Sequence, residues 1–387
     1  MSRRWIILLA LTLARMTMGV AFQSIAALAP GLMARSGMSW AEIGALIGAF
    51  MLPGVAAALG GGWLGARVGE AKAAISGLAV MAVSGLALAF LSGFEALFAA
   101  RLVLGAGGVA LNVMLTKMAA DWFDGEALPV AMGVLSSSWP MGMALAMLVL
   151  PAVEAALGTR EALLAVAALS ALACGLIAGT WRAPEGAASA GPGARPDRAE
   201  LSAVILAGLI WGLYNVPLIL TLGFGPDLLI ARGLDPVAAG AAISVFGWVS
   251  ILSVGLSGWI GGRLGGRRNA VTVCALGWIA CIGWTLSGAA GGDGALGLAA
   301  MAVFGGIGAG NIVAMPSVAT RPSARALGMG VFFAVYYVCM ALGPPAVGSL
   351  RDATGDPASA FQASAAMLGA MLILTLVFER NLARRAS

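Results

Sequence analysis

Residues 62–69 read GWLGARVG, and residues 258–265, 196 positions later, read GWIGGRLG, with five identities in eight. The same offset lays Pro30 on Pro226, Gly37 on Gly233, Gly44 and Ala45 on Gly240 and Ala241, and Phe50 on Phe246. An offset of 197 pairs Met132-Gly133-Val134 with Met329-Gly330-Val331 and Met143-Ala144-Leu145 with Met340-Ala341-Leu342, and one of 199 pairs Asn112 with Asn311. Apolar sequence gives chance matches, but collinear ones across several segments indicate a chain built from two copies of one unit.

What is repeated follows from the composition. The chain is 60% hydrophobic and 10% charged, with a mean hydropathy of +0.97, whereas soluble domains are about 25% charged. This is the composition of a polytopic membrane protein. Apolar runs long enough to span about 30 Å of hydrocarbon fall near 5–33, 41–65, 73–91, 96–118, 129–153 and 161–181, then 201–222, 237–262, 270–289, 295–318, 327–350 and 359–378. The expected fold is an all-α membrane protein of twelve transmembrane helices in two pseudo-symmetric six-helix halves. Residues 1–181 form the N-terminal half and 201–387 the C-terminal half with a short tail. The polar stretch 182–200, RAPEGAASAGPGARPDRAE, reads as a flexible linker between them. Parallel six-helix repeats imply an axis along the membrane normal and a binding site between the halves near the midplane.

The cations set the orientation. With the N-terminus inside, the cytoplasmic ends carry Arg3, Arg4, Arg67, Lys72, Arg182, Arg195, Arg198, Arg263, Arg267, Arg268, Arg321, Arg325, Arg380, Arg384 and Arg385. The other side has Arg35, Arg160, Arg232 and Arg351. Fifteen against four is a strong positive-inside bias, so both termini are expected in the cytoplasm of a bacterial-type inner membrane. The N-terminus reads as part of the first span and not as a cleavable signal, because Arg15 interrupts the would-be apolar core. The chain has no histidine, and its four cysteines sit in apolar runs without ligand spacing. No cofactor, metal or nucleic-acid partner is expected.

Residues 258–268 resemble the major facilitator superfamily signature G-x-x-x-D-R/K-x-G-x-R-R/K, through Gly258, Arg263, Gly265, Arg267 and Arg268. The copy after the second span keeps Gly62, Arg67, Gly69 and Lys72. The motif aspartate is replaced by Ala66 and Gly262, so the latch attributed to it is absent or built differently. Arg101, Gly105 and Gly107 in the fourth span are similar to the family's second motif, and Arg101 is read as structural or gating. Within the family, Trp122-Phe123, Ser136-Ser137-Ser138-Trp139-Pro140, Tyr336-Tyr337, Asp352-x-Thr354-Gly355 and an arginine in the first span resemble the cyanate and nitrate/nitrite branch. Nitrate itself is disfavoured, since nitrate porters carry substrate arginines in the second and eighth spans and this chain has none in either.

The resemblance implies that spans 1, 4, 7 and 10 line a cavity, with 2, 5, 8 and 11 beside them. Arg15, Met18, Gly19 and Phe22 share one face by helical spacing, and so do Trp211, Tyr214 and Asn215. Asn112 and Asn311 occupy repeat-related places on spans 4 and 10, and Trp139 and Tyr336 on spans 5 and 11. The candidate substrate residues are therefore Arg15, Gly19, Phe22, Asn112, Trp139, Trp211, Tyr214, Asn215, Asn311 and Tyr336. A charge at the bilayer centre costs about 2.5–3.5 kcal/mol on insertion scales and marks a pathway or site. One cation with amide donors and aromatic walls suits a small anion. Against this stand plain packing roles for the asparagines and aromatics.

All seventeen acidic residues fall in loops, the linker, the tail or terminal turns of the predicted spans. The expected activity is secondary transport of a small organic or inorganic anion by alternating access, with a co-transported proton or an exchanged anion as coupling partner, by a monomer in the lipid bilayer. Proton-coupled drug efflux is the alternative within transport, and a non-transporting membrane sensor or assembly factor the alternative outside it. No nucleophile–base pair, metal cluster or phosphate loop supports an enzyme.

Overall fold

The computed structural model describes residues 3–60, 69–123, 127–182, 195–289 and 294–386. Gly62, Arg67 and most of the linker lie outside the described residues. Within them are helices and turns and no strand. Among the described residues, twelve helical spans are long and apolar enough to cross a membrane. They are α1 (Arg3–Ala27), α2 (Trp40–Ala58), α3 (Glu70–Phe90), α4 (Phe94–Trp122), α5 (Ala131–Leu157), α6 (Thr159–Thr180), α7 (Arg198–Ala231), α8 (Pro236–Gly255), α9 (Arg267–Leu286), α10 (Ala295–Ala319), α11 (Leu327–Thr354) and α12 (Ser359–Ala383).

The chain folds as two compact units, Met1–Gly191 and Pro192–Ser387. In the first, α1 packs on α5 and α6, α3 on α4 and α6, and α2 on α4. In the second, α7 packs on α11 and α12, α9 on α10 and α12, and α8 on α10. The neighbour scheme is the same in both, as a duplicated sequence requires.

Proline and capping residues explain the boundaries. α1 gives way at Leu28 to a short helix, Ala29–Ser36, because Pro30 has no amide to continue the ladder. That helix stops on Gly37, whose φ of +65° is left-handed. In α2 the helical segments Trp40–Ala49 and Leu52–Gly60 meet just before Pro53, and in α10 the break falls at Ala314, before Pro316. Ser39 with Glu42, and Asp197 with Glu200, form capping boxes that start α2 and α7.

α7 runs well past the expected end at residue 222. It continues through Gly223, Gly225 and Pro226, all buried, to Ala231. Breakers are tolerated here because packed neighbours support the helix. Asp227 therefore lies inside a helix, where it pairs with Arg351 of α11, with Nε–Oδ2 at 2.6 Å. α5 likewise runs beyond the expected end and includes half-buried Glu154 in its last turns.

Candidate functional site

Arg15 is the central residue of the 25-residue α1, with twelve helical residues on either side. It is partly exposed. Its Nε donates to Asn112 Oδ1 of α4 at 2.9 Å and its Nη1 to the Leu135 carbonyl of α5 at 2.8 Å. Leu135 O also accepts from Ser138 Oγ at 2.5 Å, and Thr116 Oγ1 donates to the Asn112 carbonyl at 2.9 Å. Three helices thus converge on one guanidinium.

Gly19 and Gly142 make this convergence geometrically feasible. A Cβ on Gly19 would stand 2.5 Å from the Trp139 carbonyl and 3.1 Å from Gly142 Cα, and one on Gly142 would stand 3.0 Å from Gly19 Cα. α1 and α5 therefore touch backbone to backbone one turn from Arg15, which lets Arg15 reach Leu135. Phe22 is buried at 1% exposure. Its ring lies 5.1 Å from Trp139 and 5.3 Å from Phe50. Trp139 is partly exposed and forms the accessible side of this cluster.

Arg101 lies behind that cluster at 0% exposure. Its guanidinium donates to the Leu46 carbonyl at 3.1 Å, to the Ala21 carbonyl at 2.6 Å and to the Phe22 carbonyl. It also lies 5.0 Å from the Phe50 ring centroid, within cation–π range. It fastens α4 to α1 and α2.

The second unit gathers the aromatic candidates. Trp211 stacks on Tyr214 at 5.1 Å and 10°, and lies 6.3 Å from Phe332 and 6.2 Å from Tyr336. Asn215 Nδ2 donates back to the Trp211 carbonyl at 2.8 Å, so it holds its own helix. Trp278 of α9 is an addition to the expected residues. It is wholly buried, edge-on to Tyr214 at 5.9 Å, and its indole N–H has no acceptor among the described residues. Its position in a peripheral span gives no sequence signal. Asn311 donates to the Ser257 and Ile307 carbonyls, each at 3.2 Å, and a Cβ on Gly261 would stand 2.6 Å from its amide. It braces the short helix Ser257–Arg263 against α10.

The motif residues divide by unit. In the first unit Gly69 has φ +83° and caps α3, and Lys117 pairs with Glu70. In the second, Gly258 and Arg263 lie in the helix Ser257–Arg263, with the Arg263 guanidinium 4.1 Å from the Trp259 ring centroid. Gly265 and Gly266 have φ of +81° and +110°, conformations that L side chains resist. Arg267 Nε donates to Glu379 Oε1 of α12 at 2.7 Å.

No curated protein matches the sequence. Among solved structures the chain is similar to the nucleoside transporter NupG, at 16% identity and TM-score 0.76 over 98% of this chain and 99% of that one. It is similar also to a bacterial homolog of the human lysosomal transporter Spinster in an inward-facing, unoccupied conformation, at 15% identity and TM-score 0.71 over 98% and 96%. At these identities the likeness shows the fold. A family model described as Major Facilitator Superfamily matches residues 8–321, and the chain belongs to that superfamily of membrane transporters.

Proposed function

We propose that this secondary transporter carries a small organic or inorganic anion by alternating access, coupled to a proton or to an exchanged anion. The observation that carries the reading is Arg15, a guanidinium at the centre of α1, partly exposed and donating to the oxygens of Asn112 and Leu135. These two contacts help to fix the guanidinium, and its fork of N–H donors matches a carboxylate or other oxyanion. Partly exposed Trp139 beside it offers an aromatic surface to an apolar or planar substrate body. The resemblance of the Ser136–Pro140 stretch to the cyanate and nitrate/nitrite branch supports the same reading. The excess of cations on one side supports an inner-membrane protein with both termini in the cytoplasm.

The test is counterflow in proteoliposomes with cyanate, formate, lactate and benzoate as probes, read beside melting curves of the purified protein. At least one anion should exchange and raise the melting temperature. Arg15→Ala should lose both effects while still folding when no ligand is present. Wild-type exchange by Arg15→Ala would sink the anion assignment.

A further inference from the structure

We propose that the α9–α12 corner of the second unit is a phosphate-binding site, built for the headgroup of an anionic phospholipid and separate from the transport site. A cavity of about 390 Å³ opens there, lined by Gly265, Arg267, Arg268, Asn269, Glu379 and Ala383. Small-ligand sites occupy about 300–1,000 Å³, so the space admits a headgroup. Two cations against one carboxylate leave the lining with a net charge of +1.

The donors are pre-positioned. The turn through Gly265 and Gly266 closes with Gly266 N donating to the Gly261 carbonyl at 3.0 Å and Asn269 Nδ2 to the Leu264 carbonyl at 2.9 Å. This holds the start of α9 open to the cavity, with no side-chain cap and no acid in its first turn. Arg267 is pinned through Nε to Glu379 and lies 5.4 Å from the Phe378 ring centroid. That single bond leaves its Nη groups without a protein acceptor among the described residues. Exposed Arg268 makes no side-chain hydrogen bond or ion pair among them. Two forks beside uncapped amides suit a tetrahedral phosphate, which accepts from several directions at once.

The surroundings favour a lipid over a soluble phosphate. α12 carries exposed Ile373, Leu376 and Val377 before the cavity, and exposed Leu256 and Trp259 precede the turn in the chain. A headgroup in the cavity would place its acyl chains along this apolar surface. The residues 267–268 thus have a use beyond setting topology, and Glu379 acts as a gatekeeper that competes with phosphate for Arg267.

The experiment uses the full chain in detergent, titrated with phosphatidylglycerol, phosphatidylcholine, glycerol 3-phosphate and inorganic phosphate, with bound lipid counted by native mass spectrometry. Phosphatidylglycerol should bind and raise the melting temperature, whereas phosphatidylcholine should not. Arg268→Gln, at an exposed side chain with no protein partner among the described residues, should fold normally and bind about fivefold more weakly, the worth of one cation near an anionic surface. Glu379→Gln should bind more tightly, because Arg267 is released. Stabilisation by inorganic phosphate or glycerol 3-phosphate that Arg268→Gln weakens supports the same site with a soluble occupant. Phosphatidylglycerol binding unchanged in Arg268→Gln, or weakened in Glu379→Gln, overturns the proposal.

Discussion

Two arginines in apolar helices behave oppositely, and their partners say why. Arg101 is sealed from solvent and spends its donors on the carbonyls of Leu46, Ala21 and Phe22. Arg15 is partly exposed, and its contacts include the Asn112 amide oxygen and the Leu135 carbonyl. Hydrogen bonds from a charged donor contribute about 1.5–3 kcal/mol each. Arg101→Ala should therefore cost about 3 kcal/mol or more, read as a marked fall in melting temperature and folded yield, with Arg101→Lys intermediate because a point charge cannot span three acceptors. A wild-type melt for Arg101→Ala would remove the fastening role. Asn112→Ala should leave the protein folded and weaken the binding of whichever anion the screen identifies by about tenfold or more, because the bond it removes comes from a charged donor. Titration of that anion against the variant checks this, and unchanged affinity would mean that Asn112 does not orient Arg15 for binding.

At the scale of helices, the crossing of α1 and α5 depends on Gly19 and Gly142 meeting backbone to backbone. Alanine at either position must push the helices apart, at about 1–3 kcal/mol for overpacking, and should move Arg15 away from Leu135. A Cβ added at Gly133, on α5, would meet nothing within 4 Å, so Gly133→Ala should be neutral or gain about 0.5–1 kcal/mol of helix preference. Melting of the three variants side by side checks the contrast, and equal destabilisation at all three would refute it. The spans themselves are legible in the sequence, because length and hydropathy alone select twelve apolar runs. The inward face of each is not. Lipid tails and a packed helix interior are equally apolar, so helical spacing groups Arg15, Gly19 and Phe22 without revealing that Gly19 and Phe22 pack inward while Arg15 stays partly exposed. The same blindness hides Trp278, whose neighbours Tyr214 and Phe246 come from other helices. The end of α7 lies beyond its expected boundary for a related reason: glycine and proline break helices in water, but Gly223–Pro226 is buried and supported by packed neighbours.

For the whole molecule, the duplication is legible because glycines at tight turns resist substitution in both copies. Gly69 and Gly265, aligned by the 196-residue offset, have φ of +83° and +81°, which only glycine adopts without strain. Gly37 and Gly233, aligned by the same offset, have φ of +65° and +99°. Repeat matches at such positions carry more weight than matches of alanine with alanine, since a backbone requirement enforces them. We propose the direction from charge placement. Arg267, Arg268, Arg321 and Arg380 stand at the helix ends that the orientation assigns to the cytoplasm, and Arg232 and Arg351 at the opposite ends. A fluorescent protein fused after residue 387 should be bright in cells, and an alkaline phosphatase inserted between Arg232 and Asp235 should be active. The reverse pattern would invert the orientation, and it would move the basic α9–α12 corner to the outer face. Only the cytoplasmic assignment sets that corner against the leaflet whose anionic lipids attract cations, so one pair of fusions tests both the topology and the setting of the phosphate site.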